Sequence, residues 1–116
     1  MGFATMKIQG ADRAANSNAL ASSLVVASVR ARLYSVTVYN NNVAAQFIQV
    51  HDAAALPADT AVPKLVVSVP ASSTGSFDFG DGRIFSNGIV ICNSSTGPTK
   101  TIGAADCIID STYRNE

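Results

Sequence analysis

The chain holds little of what chemistry requires. Its 116 residues include one histidine, no tryptophan, two cysteines and eight acidic residues scattered along the length. Charged residues make up 14% of it, against about 25% in an average soluble domain. Eight basic residues balance the eight acids, so no net charge draws the chain to nucleic acid or to an anionic membrane. No apolar run approaches the ~20 residues of a membrane span. The N-terminus, Met1-Gly2-Phe3-Ala4-Thr5-Met6-Lys7, lacks the basic-then-apolar order of a signal peptide. The chain is therefore expected to remain in the cytoplasm of the cell that makes it. Two thiols in a reducing compartment are expected to stay free, although Cys92 and Cys107 could face each other across a hairpin.

What the chain does have is strand pattern. Leu33-Tyr34-Ser35-Val36-Thr37-Val38-Tyr39, Phe47-Ile48-Gln49-Val50, Leu65-Val66-Val67-Ser68-Val69, Gly88-Ile89-Val90-Ile91-Cys92 and Cys107-Ile108-Ile109 are β-branched or aromatic runs, parted by Asn, Gly, Pro and Ser clusters. At this length the chain is one domain with enough core to fold without metal or disulfide. Alternation predicts that Val36, Val38, Phe47, Val67, Val69, Phe77, Phe79, Phe85, Ile89, Ile91 and Ile109 point inward. Turns are expected at Asn40-Asn41-Asn42, residues 72–75 and Gly80-Asp81-Gly82, with one strand over residues 83–93. Residues 45–51 lie close enough to pair with residues 34–39 as a hairpin. A long loop follows over residues 52–63, where Pro57 and Pro63 remove two amide donors. Seven or eight short strands at such spacing predict an all-β fold, an antiparallel β-sandwich of jelly-roll or Greek-key type.

Residues 1–23 differ. Small side chains dominate, and too few large apolar ones are present to offset the ordering entropy. They read as an extended N-terminal arm, with Met6-Lys7-Ile8-Gln9 as a possible short edge strand, ahead of a sandwich domain over residues 24–116. An arm of this composition is expected to be ordered by contact with a neighbouring subunit. The low charge points the same way, because uncharged small-residue surface tends to be covered by a partner or by copies of itself.

Candidate sites are few. His51-Asp52 brings a base beside a carboxylate, but no Gly-x-Ser-x-Gly supplies a nucleophile on a sharp turn, and Cys92-Asn93-Ser94-Ser95 lacks the strand-to-helix turn an activated serine needs. Asp78 and Asp81 offer fewer oxygens than a calcium loop, and turn formation accounts for them. No second Cys or His stands near enough for zinc. The aromatic residues lack the interleaved cations of a nucleic-acid surface. The residues thus predict no catalytic, cofactor-binding or metal site and no enzyme.

Taken in order, Tyr34-Ser35-Val36-Thr37-Val38-Tyr39-Asn40-Asn41, Gln46-Phe47-Ile48-Gln49-Val50-His51-Asp52 and Leu56-Pro57-Ala58-Asp59-Thr60-Ala61-Val62-Pro63 resemble small proteins of tailed bacteriophages that build the virion. Val69-Pro70-Ala71, Phe77-Asp78-Phe79-Gly80, Arg83-Ile84-Phe85-Ser86-Asn87-Gly88-Ile89-Val90 and Asn93-Ser94-Ser95-Thr96 continue the likeness. The resemblance covers about residues 33–96. It implies a β-sandwich virion module that decorates or cements the capsid, with the major capsid protein or other virion proteins as partners and a homo-oligomer as its state. A tail or fibre component, or a receptor- or carbohydrate-binding module, is the alternative. Nothing in the resemblance carries catalytic residues.

Overall fold

The computed structural model describes residues 10–116. Among them are eight strands and no helix: β1 (Arg13–Asn16), β2 (Ser23–Ala27), β3 (Ala31–Asn40), β4 (Gln46–His51), β5 (Leu65–Val69), β6 (Ser73–Phe85), β7 (Ile89–Ser94) and β8 (Cys107–Asn115). They form two four-stranded sheets, sheet I in the order β1-β8-β3-β6 and sheet II in the order β2-β7-β4-β5. Every pairing is antiparallel. The two sheets share one core: Val36, Val38, Phe85 and Ile109 of sheet I cluster with Ile48, Val50, Val69, Ile89 and Ile91 of sheet II. Each such side chain, once buried, contributes about 1.5–3 kcal/mol.

The alternation predicts most inward positions correctly and misplaces one. Ile48 and Val50 enter the core, so Phe47 turns to the outer face of sheet II, where Gly97 lies over its ring. Val67, Phe77 and Phe79 face inward at the open margin between β5 and β6 and stay only partly covered.

The expected hairpin between residues 34–39 and 45–51 does not form, because β3 lies in sheet I and β4 in sheet II. The corner between them is tied by Asn40, which is fully buried. Its Nδ2 donates to the carbonyls of Ala44, Val69 and Pro70, and its Oδ1 accepts from the Asn42 amide. A side chain with both donors and an acceptor can satisfy several corner groups at once, which the crossing demands. The turn expected at Gly80-Asp81-Gly82 is instead a bulge within β6. Leu33 faces Arg83 and Ser35 faces Asp78, leaving residues 79–82 opposite Tyr34 alone. Gly80 (φ 62°) and Gly82 (φ 90°) supply its left-handed backbone. The strand expected over residues 83–93 is cut at residues 86–88. Gly88, at φ 149°, has no room for a Cβ, which would stand 2.5 Å from the carbonyl oxygens of Ala27 and Ala53.

Within the region read as an arm, Arg13–Asn16 is an edge strand on β8 of its own chain. The Ser17 amide donates to the Ile109 carbonyl at 2.9 Å, and Ser111 Oγ donates to the Ala15 carbonyl at 3.2 Å. Ordering by a neighbour is therefore not needed for residues 13–16, whose backbone pairing offsets their lack of apolar bulk. The short strand expected at Met6-Lys7-Ile8-Gln9 lies outside the described residues. Deleting residues 2–20 removes β1 and is expected to lower the urea midpoint, at about 1 kcal/mol for each hydrogen bond lost. Deleting residues 2–9, which spares all eight described strands, is expected to lower the midpoint less than deleting residues 2–20; equal midpoints for both deletions would contradict this placement of β1.

Candidate functional site

The residues singled out as possible chemistry are placed apart from one another. Asp52 turns away from His51, its Oδ1 accepting from the Asn87 amide at 2.8 Å. Asp78 Oδ1 accepts from the Gly80 amide at 2.9 Å, closing the bulge. Among the described residues no three His, Cys, Asp or Glu side chains gather as metal ligands. Ser94 is buried and organises a turn: its Oγ donates to the Thr96 carbonyl at 2.7 Å and accepts from the Thr101 amide at 3.0 Å. The two cysteines are free and buried. They do not face each other across a hairpin, because Cys92 sits on β7 of sheet II, pointing to its outer face, while Cys107 begins β8 of sheet I inside the core.

The outer face of sheet II instead carries a buried polar network that the sequence did not announce. Gln49, Cys92 and Ser94 are fully buried there, and His51 and Lys100 are 3% exposed. The segment over residues 95–101 covers them. Gln49 Nε2 shares its two protons among the carbonyls of Thr96, Gly97 and Thr99 at 2.9–3.1 Å. Its Oε1 must then be the acceptor for His51, 3.0 Å away, so His51 carries its proton on Nε2. Lys100 Nζ is 2.6 Å from Asp59 Oδ1, which also accepts from the Ile102 amide at 3.2 Å. The Lys100–Asp59 pair fastens residues 95–101 to the long loop between β4 and β5. The one hint in the sequence was Gln49 itself, a long amide inside a run of strand-forming residues.

Charge and burial set the protonation of this network. Burial, with the Lys100 ammonium nearby, holds His51 below its ordinary value of 6.5. The hydrogen bond from Lys100, then that from the Ile102 amide, holds Asp59 below 3.8. Burial pushes both thiols up from 9.0 to about 11. Cys92 is thus a protonated, enclosed thiol, with none of the thiolate character of a nucleophile. The network is a buttress for a covering segment.

Stability should follow from these shifts. As pH falls below about 6.5, the unfolded chain takes up the His51 proton before the folded one, so stability declines. Asp59 acts in the same direction below about 3.8. As pH rises above about 9, the unfolded chain loses thiol protons that the folded chain keeps, and stability declines again. Urea midpoints across pH 4–11 are expected to show a plateau between about 6.5 and 9. A midpoint at pH 5 equal to that at pH 7.5 would contradict the buried neutral His51.

Sheet I is different: along two rows that cross its four strands the outer face is half-exposed or exposed. Asn16, Asp110, Thr37 and Ser76 form one row across its four strands, and Ala14, Thr112, Ser35 and Asp78 form the next. Hydrogen bonds run along the rows, from Asn16 Nδ2 to Asp110 Oδ1 at 3.2 Å and between the hydroxyls of Thr37 and Ser76 at 3.0 Å. Tyr39 and Ile108 stand exposed beside them. Large apolar side chains also reach solvent at the loops, with Val43 93%, Val62 74% and Val29 55% exposed. At the β5–β6 margin the sheets part over an apolar cleft of about 90 Å³.

No protein-family profile, curated protein or solved structure matches the chain.

Proposed function

We propose that the chain is a structural protein of a tailed-bacteriophage virion, a capsid decoration or cement protein that works as a homo-oligomer bound to the major capsid protein. The observation that carries this reading is a surface with few charges and with Val43, Val62 and Val29 open to water. We read that surface as one for contact with other protein because charged residues are depleted at the core of protein interfaces. The strand orders β1-β8-β3-β6 and β2-β7-β4-β5 read as a jelly roll, a sandwich used by viral capsid domains and by lectins alike. Fold therefore fits assembly and ligand binding equally. On this reading the protein acts geometrically, with no reaction step. Each contact is modest, and many symmetric copies add their binding free energies against the pressure of packaged DNA.

The test is a stripping experiment. Particles lacking the chain are expected to release DNA at a lower temperature, and adding the purified chain is expected to restore them at a ratio fixed by shell symmetry. Stripped particles that are as heat-stable as complete ones, and that do not bind the chain, would overturn the cement reading.

One observation favours a second reading, a carbohydrate-binding module of a tail or fibre. The rows of hydroxyl, amide and carboxylate groups on sheet I, with Tyr39 beside them, could hydrogen-bond and stack on a sugar. A glycan array probed with the purified chain separates the two readings.

A further inference from the structure

We infer that β6 pairs edge to edge with β6 of a second copy of this chain, about a two-fold axis at Ser76, joining sheet I of both copies into one sheet. The inference rests on the homo-oligomer reading above and names its contact. Among the described residues β6 has β3 on one side and no strand on the other, and β5 likewise ends sheet II. These two edges border one cleft, lined by Val36, Ile48, Leu65, Val67, Phe77 and Phe79. An unguarded edge is a template for another strand. At the opposite margin β1 carries Arg13, and β2 bulges between Val25 and Ala27. Here Leu65 to Val69 bears no charge and no proline. β6 pairs regularly with β3 from Ser73 to Asp78, and Asp78 is the one charge of that run.

The run is self-complementary. A two-fold axis perpendicular to the sheet keeps every side chain on its own face, so it lies level with a residue rather than between two. At Ser76 it sets Thr74 opposite the second copy's Asp78 and Gly75 opposite the second copy's Phe77, each contact made twice. Thr74 and Asp78 are exposed on the outer face, where the hydroxyl donates to the carboxylate. On the cleft side each Phe77 ring leans over its own Gly75, 3.2 Å from where a Cβ would stand. Pairing therefore brings the two rings together across the axis, over the two bare glycines. Charge selects this register. The two Asp78 carboxylates stand about 13 Å apart along the strands. An axis at Phe77 would bring them within about 8 Å, and one at Asp78 would set them face to face. β5 lies level with the same run, because a Cβ at Gly75 would stand 3.0 Å from Val69 Cγ2. The axis thus turns the uncharged β5 edges of the two copies toward each other and closes both clefts into one core.

The experiment uses the full chain, by light scattering and by disulfide trapping. The full chain is expected to self-associate. Ser76→Cys, at an exposed position, is expected to give a disulfide-linked dimer under glutathione disulfide, since opposed Cα atoms about 4.5–5.5 Å apart are within bridging reach. Ala14→Cys, exposed on β1 at the far edge of the same sheet, is expected to give none. Thr74→Lys is expected to tighten association by about fivefold and Thr74→Glu to weaken it by about fivefold, the scale of two exposed charge pairs per dimer. If neither charge alters association, or if the Ser76→Cys protein associates without crosslinking, edge pairing is overturned while assembly stands. A full chain that stays monomeric overturns both. A trapped dimer whose chain is absent from purified virions leaves the pairing standing and sinks the virion reading.

Discussion

Phe85→Ala is expected to destabilise the protein by about 3–5 kcal/mol, the range for emptying a large aromatic site in a closed core. Phe85 is 1% exposed and ends β6 among Ala31, Leu33 and the β7 isoleucines. The backbone there is pinned by Gly88, whose lack of a Cβ lets two carbonyls close in, so the site has little freedom to collapse. The same truncation at Phe47 is expected to cost clearly less, because that ring lies half-buried on the outer face of sheet II. Urea denaturation of the two variants measures the difference. Equal losses would return Phe47 to the core and contradict the β4 register.

Gln49→Leu is the second large effect. The substitution keeps bulk but removes the donor to three carbonyls and the acceptor for His51. Unpaired buried polar groups cost about 1–3 kcal/mol each, and the carbonyls of residues 96–99 can recover water only if the segment lifts. The expected loss is about 3–5 kcal/mol, with faster amide exchange over residues 95–101 and little change in sheet I. Asp59→Ala should act in the same direction by leaving Lys100, 3% exposed, without its anion. Lys100→Met should be milder, since Asp59 is half-exposed and water can solvate it. Unchanged exchange in Gln49→Leu would show that the network does not hold the segment.

The strands were legible because alternation and turn residues are local signals. Leu33 to Tyr39, Leu65 to Val69 and Cys107 to Ile109 each fall within an observed strand. What the sequence did not show was partnership between strands. Asn40-Asn41-Asn42 reads as a hairpin turn, yet Asn40 satisfies a corner between sheets, and no local pattern separates these outcomes. Phe47 was misplaced because β4 is apolar or buried on both faces, Ile48 and Val50 toward the core and Gln49 and His51 beneath a covering segment. A strand covered on both sides loses the contrast that sets its phase. Arg13–Asn16 has almost no apolar signal, and only the pairing with β8 makes it a strand. The candidate site was the least legible, since Lys100 and Asp59 are 41 residues apart and nothing in either local sequence points to the other.

The measurement that bears most directly on a structural role is the copy number of this chain in purified virions, by quantitative mass spectrometry against an isotope-labelled standard. A cement protein is expected at hundreds of copies per particle, in fixed proportion to the major capsid protein. Absence of the chain from purified virions would contradict the account.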